Sequence, residues 1–198
     1  MSAEQHIDPV ELVQRLVHRG ITIATAESLT AGALASRIAE VPGASSVLLG
    51  GVVSYSNQVK QSLLVVDPEL LEARGAVDGE VAAQMALGAA KACGAEIGIS
   101  TTGVAGPEPH QGKSVGTVYV GIAAVGGVVG RCDLRLPEDC DGYDRGPGLA
   151  GYRLLDLTGG RAAIRAASVE SALQLVSDLL ATEGQGLPGD QVPPSEND

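Results

Sequence analysis

Thr25-Ala26-Glu27-Ser28-Leu29-Thr30-Ala31-Gly32 joins a short apolar run to a helix of small residues. Before it, Gly20-Ile21-Thr22-Ile23-Ala24 is rich in β-branched residues and reads as a buried strand. After it, Leu34, Ile38 and Val41 fall at helical spacing, and Pro42-Gly43 ends the pattern. The stretch is thus a strand-to-helix corner, the repeating unit of layered α/β folds. Ser28 stands at that corner, where the N–H groups of a helix start favour negative charge. Two readings fit it: a nucleophile whose intermediate carries an oxyanion, or a serine that simply caps the helix.

Outward from the corner the alternation continues. Residues 8–19 form an amphipathic helix with Val10, Leu12, Val13, Leu16 and Val17 on its apolar face. Val47 to Ser54 is strand-like, and a helix capped by Asn57 runs on through Lys60 to Leu64. Asp67-Pro68 has the composition of a helix start, and Gly75 ends that helix. Residues 79–92 read as a further helix closed by Gly94, and Glu96 to Thr101 as a strand leading into a glycine-rich loop at 103–112. Val115–Val125 and Val128–Leu136 predict a hairpin turned at Gly126-Gly127. The last helix covers Arg161 to Leu180, and the polar, Gly- and Pro-rich residues 182–198 are expected to be disordered. The expected fold is therefore α/β: three α/β/α layers around a mixed, mostly parallel sheet, in one domain over residues 1–181.

Composition narrows the function. Of the 198 residues 44% are hydrophobic, yet Phe and Trp are absent, so the core is Val, Leu, Ile and Ala, with 27 glycines permitting close backbone approach. A net charge of −11 argues against binding a nucleic-acid backbone, which needs a basic surface, and fits solubility. Cys93, Cys132 and Cys140 lack metal-type spacing, and His6, His18 and His110 are scattered, so no metal is expected. His110 lies in a loop and reads as exposed. The polar, acidic start does not resemble a signal peptide, and no apolar run is long enough to span a bilayer. A cytoplasmic protein without membrane contact is expected.

A second segment bears on chemistry. Tyr55-Ser56-Asn57-Gln58-Val59-Lys60 leads from strand to helix, in a chain with three lysines against ten arginines. Lys60 falls near the first helical turn, the wrong end of the helix dipole for a cation. Such a lysine, partly buried, favours the neutral amine and can accept a proton. An ordinary solvated lysine beside a core tyrosine is the other reading.

These segments together resemble the C-terminal domain family of CinA-type proteins, whose active members are nicotinamide-nucleotide amidases. The shared pieces are T-A-E-S-L-T-A-G at 25–32, P-G-A-S-S at 42–46, G-V-V-S-Y-S-N-x-x-K at 51–60 and G-A-V at 75–77. S-T-T-G-V-A-G-P at 100–107, V-G-T-V-Y-V-G at 115–121 and R-x-x-x-R at 161–165 complete the set. The resemblance implies Ser28 as nucleophile, Lys60 as general base and Tyr55 completing a Ser-Tyr-Lys arrangement, with no cofactor. It implies Leu29, Thr30, Thr102, Gly103 and Arg161 at the substrate, a small nucleotide, and a homodimer. A catalytically silent nucleotide-binding or protein-interaction module of the same fold is the alternative. Three features depart from the family pattern: the loop Glu108-Pro109-His110-Gln111-Gly112-Lys113, Gly160 where relatives often carry Asp, and residues 137–157, which read as an insertion with a possible strand at Tyr152–Leu157.

Overall fold

The computed structural model describes residues 7–144 and 148–181; the tail expected to be disordered lies outside the described residues. Helix α1 (Pro9–Arg19) opens with the Asp8 carboxylate accepting the Val10 N–H at 2.8 Å and closes at Gly20, whose φ of 59° only glycine adopts freely. There follow β1 (Ile23–Glu27), α2 (Ala33–Ala39), β2 (Leu48–Val53), α3 (Asn57–Leu64), α4 (Pro68–Arg74), α5 (Gly79–Cys93) and β3 (Ile97–Gly103). The chain ends through β4 (Thr117–Val125), α6 (Val128–Arg131), β5 (Asp141–Gly142), β6 (Gly148–Asp156) and α7 (Arg161–Ala181).

Among the described residues the sheet has six strands in the order β2-β1-β3-β4-β6-β5. Helices α1, α2 and α7 share one apolar cluster on one face, and α3, α4 and α5 share another on the opposite face. The three-layer α/β/α fold with a mixed sheet is as expected. The parallel share is a correction: β1 pairs parallel with β2 and β3, whereas β3–β4, β4–β6 and β5–β6 are antiparallel. The reason is connectivity, because no crossover helix separates β3 from β4, so the chain turns straight back.

The expected hairpin partner at 128–136 is also corrected. Val128 opens a single helical turn and is buried, while β4 pairs along its whole length with β6. The segment read as an insertion thus supplies two strands, and the possible strand at Tyr152–Leu157 lies mostly within the longer β6.

The strand order places the site. From β1 the chain crosses over α2 to β2 on one side, then over α3–α5 to β3 on the other, so direction reverses at β1. In open α/β sheets ligands bind outside the carboxyl ends of the strands at such a reversal. β1 is buried on both faces: Ala24 and Ala26 meet the α5 layer, and Ile23 meets the α1/α2/α7 layer. Small residues bring α5 close, since a Cβ at Gly98 or Gly121 would strike the carbonyls of Ala86 and Ala82.

Candidate active site

Ser28 follows the last residue of β1, and its N–H continues the ladder by donating to the Thr101 carbonyl of β3 at 2.9 Å. Ser54 does the same for β2, donating its N–H to the Glu27 carbonyl at 2.8 Å. Both residues after the strands are thereby held at sheet precision. Ser28 does not cap α2, which begins five residues later at Ala33. The capping reading is thereby removed, and the stretch 28–32 is a loop between strand and helix.

Helix α3 delivers the lysine. Its N-cap is Ser56, not Asn57, with the Ser56 hydroxyl accepting from the Val59 N–H at 3.3 Å. Lys60 is 1% exposed and heads the largest fully buried side chains among the described residues. Its Nζ lies 3.2 Å from Ser28 Oγ and 2.6 Å from the Ser54 carbonyl oxygen, to which it donates. Neither partner is a carboxylate, and burial pushes the Lys60 pKa down to about 8. An amine so placed can keep one N–H on Ser54 and turn its lone pair to the Ser28 hydroxyl, which then donates to it.

Around this pair lies a cleft of about 380 Å³, walled by Leu29, Tyr55, Asn57, Ala76, Arg161 and the loop Gly103–Gln111. A larger groove of about 820 Å³ runs along α3 and α5 past Leu63, Val65 and Leu87, but neither Ser28 nor Lys60 lines it. The cleft that holds the buried amine beside a hydroxyl is the candidate site, because it alone of the two brings those groups together.

The remaining expected residues divide. Leu29, Gly103 and Arg161 line the cleft. Arg161 opens α7 and donates to the Gly106 carbonyl at 3.1 Å and to the Tyr55 hydroxyl at 2.9 Å. Tyr55 is 58% exposed on the rim, so its hydroxyl meets Arg161 rather than Ser28 or Lys60, and the expected three-residue arrangement contracts to a Ser-Lys pair. Thr102 is a correction: it points to the α5 side with Ser100, and its hydroxyl donates to the Ala76 carbonyl at 2.6 Å, beneath the cleft wall. Thr30 is likewise buried, its hydroxyl 2.7 Å from that of Thr101. Only its backbone remains for a ligand. His110, expected as a plain exposed loop residue, is exposed and also lines the cleft.

Two residues that the sequence does not mark for the purpose shape the Ser28–Ala31 loop. Arg165 donates Nε to the Leu29 carbonyl at 2.9 Å and Nη2 to the Thr30 carbonyl at 2.7 Å. Since the peptide unit is planar and trans, the Leu29 carbonyl turned toward Arg165 turns the Thr30 N–H the other way. The N–H groups of Leu29 and Thr30 meet no acceptor among the described residues, although both residues are buried. Backbone N–H groups without a protein acceptor are uncommon, and beside a cleft they are left to water or to a ligand. The second residue is Glu27, which is 1% exposed and accepts from the Gly32, Leu34 and Ala35 N–H groups. Its signal in the sequence is an acid at the end of a largely apolar strand.

The family model of the CinA C-terminal domain matches residues 8–143. A CinA-like protein of Frankia casuarinae is 44% identical over 177 residues, 89% of this chain and 35% of that protein. A putative competence-damage inducible protein of Moorella thermoacetica is 51% identical over 124 residues, 62% of this chain and 30% of its own length. The chain spans about a third of the length of these curated relatives. Among solved structures, a competence-damaged protein (CinA) superfamily protein from Escherichia coli aligns with a TM-score of 0.73 at 28% identity, covering 87% of this chain and 88% of that one. The competence/damage inducible protein CihA from Agrobacterium tumefaciens gives 0.70 at 30% identity, covering 89% and 98%.

Proposed function

Because this chain belongs to the CinA C-terminal domain family, we infer that it is a serine amide hydrolase in which Ser28 is the nucleophile and Lys60 the general base. The observation that carries the reading is the buried amine, without a counter-ion among the described residues, 3.2 Å from a hydroxyl at the lip of a cleft. The substrate is nicotinamide mononucleotide, hydrolysed at its carboxamide to nicotinate mononucleotide and ammonia in pyridine nucleotide recycling. A cleft of about 380 Å³ suits a small ligand. Arg161 on its wall supplies a guanidinium for the phosphate.

Ser28 Oγ attacks the amide carbon while Lys60 Nζ takes its proton. The carbonyl oxygen becomes an oxyanion and is held by the free N–H groups of Leu29 and Thr30, each worth about 3 kcal/mol of barrier. The Lys60 ammonium then protonates the nitrogen as the C–N bond breaks; ammonia departs and the acyl group remains as an ester on Ser28 Oγ. Water, deprotonated by the same amine, releases the carboxylate and restores the hydroxyl. Tyr55 has a smaller part than the resemblance implies: with Arg161 it forms one wall for the nucleotide.

Ammonia release is measured with nicotinamide mononucleotide, beside nicotinamide and NAD. Turnover of the mononucleotide that disappears in Ser28→Ala and Lys60→Arg, both folded, is the expected result; a guanidinium does not act as a base near neutral pH. Binding without release of ammonia would make the chain a silent nucleotide-binding module instead.

A further inference from the structure

We propose that Glu27 is a positioning residue for the nucleophile: its buried carboxylate caps α2 from the end of β1 and so holds the Ser28–Ala31 loop in the shape that presents Ser28 to Lys60. The inference rests on the hydrolase reading above and concerns a residue that reading does not use.

Strand alternation sets the direction. Thr25 and Glu27 share one face of β1, the face toward α2, and the Thr25 hydroxyl donates to Glu27 Oε1 at 3.3 Å. Helix α2 lacks an ordinary cap, since Gly32 at its N-cap position has no side chain to accept a hydrogen bond. Glu27 replaces it from five residues upstream. Its Oε2 accepts the Gly32 and Leu34 N–H groups at 2.9 and 3.0 Å, and its Oε1 accepts the Ala35 N–H at 2.9 Å. A carboxylate offers acceptors only, so it suits four converging donors and the positive helix end. A glutamine would offer one oxygen and turn its NH₂ against donors.

The span between the two anchors is short. Only Ser28, Leu29, Thr30 and Ala31 separate the Glu27 backbone from the first N–H its side chain holds. Within that span Ala31 has φ 53°, followed by Gly32 at φ 95°. A left-handed alanine is disfavoured, and a loop free at either end would relax it. One end is fixed by the sheet through Ser28 and Ser54, the other by the Glu27 carboxylate, and Arg165 holds the middle. Glu27 also occupies the N-terminus of α2, which leaves the loop N–H groups, not the helix, to face an oxyanion.

Glu27→Gln is made in the whole chain and tested three ways: kcat and KM for ammonia release, the rate at which a fluorophosphonate labels Ser28 by intact mass, and thermal melting. Labelling needs the nucleophile and its base but no substrate. The expected result is a folded variant whose kcat and labelling rate both fall by roughly 100-fold, the scale of a misplacement near 1 Å, with KM unchanged. Thr25→Val, which removes only the supporting hydroxyl, shows a smaller fall of the same kind, and Thr25→Ser recovers it. A folded Glu27→Gln with wild-type kcat and labelling overturns the inference and leaves the hydrolase reading standing. Should Glu27→Gln fail to fold, the Thr25 pair decides, and a Thr25→Val enzyme at wild-type rate overturns it. A wild-type chain neither labelled nor active overturns the hydrolase reading, and this inference with it.

Discussion

The pH dependence of turnover tests the role of Lys60 most directly. An exposed lysine has a pKa near 10.5, and burial brings that of Lys60 to about 8. At pH 7 the neutral fraction of the amine then rises from about 0.03% to about 9%, a gain of about 300-fold in competent base. Because the group must be unprotonated to accept the Ser28 proton, kcat/KM rises with pH and levels off above about 8. Below that value it falls about tenfold for each pH unit, as one proton blocks one base.

The assay is ammonia release at subsaturating mononucleotide from pH 6 to 10, with melting at each pH to show that the fold persists. The kcat/KM profile reports the ionisation of the free enzyme. A rate that declines as pH rises through 8 would assign Lys60 as an acid and refute the reasoning. So would a limb unchanged in Lys60→Met, because the titrating group would then lie elsewhere.

Two further outcomes are expected. Tyr55→Phe, which loses only the hydroxyl that Arg161 contacts at 2.9 Å, keeps kcat within a few-fold and raises KM for the mononucleotide; a loss on the order of 10³ in kcat would return Tyr55 to the proton path. Lys60→Met abolishes turnover yet stabilises the fold at pH 7 by up to about 3 kcal/mol, because a pKa depressed from 10.5 to about 8 penalises the folded state while both states are protonated. The penalty is fully present below pH 8 and fades as pH rises toward 10.5, so urea melts at pH 7 should separate wild type from variant and melts near pH 10 should converge.

The layers were legible because apolar periodicity reports burial, and burial is what a layer is. The misreadings share a physical origin in partners that are distant in sequence. Apolar residues place the first strand at 20–24, but β1 runs from Ile23 through Thr25 to Glu27, whose polar groups are satisfied by one another and by α2. Val128 and Val129 look like strand residues, yet the strand that pairs with β4 begins twenty residues later at Gly148. Glycines and Arg153 disguise that strand, whose arginine pairs with Asp139 and Asp178. For Thr102 the alternation with Ser100 already pointed away from the cleft. Ser28 is legible at a strand end and Lys60 in the helix that follows the next strand, but only the resemblance brings the two together. No local pattern states that two strand ends 26 residues apart in sequence lie side by side.

What distinguishes this site from a cluster of polar core residues is how differently it treats two buried ionisable groups. Glu27 on β1 and Lys60 on α3 are each 1% exposed. Around Glu27 the chain gathers three N–H groups, a hydroxyl and a helix start, a complete set of donors. Around Lys60 it gathers one carbonyl and the hydroxyl of Ser28 and, among the described residues, no acid. A core built for stability would fill the volume of Lys60 with methionine or leucine, since burying an unpaired amine costs free energy and adds no packing. The hydrolase reading accounts for the arrangement, because it requires the amine to be neutral and in contact with a hydroxyl. Such a contact is of use only when the hydroxyl must lose its proton. The absent counter-ion is therefore the functional feature, and an acid introduced within reach of Nζ would raise the amine's pKa and cost activity even as it improved the local electrostatics.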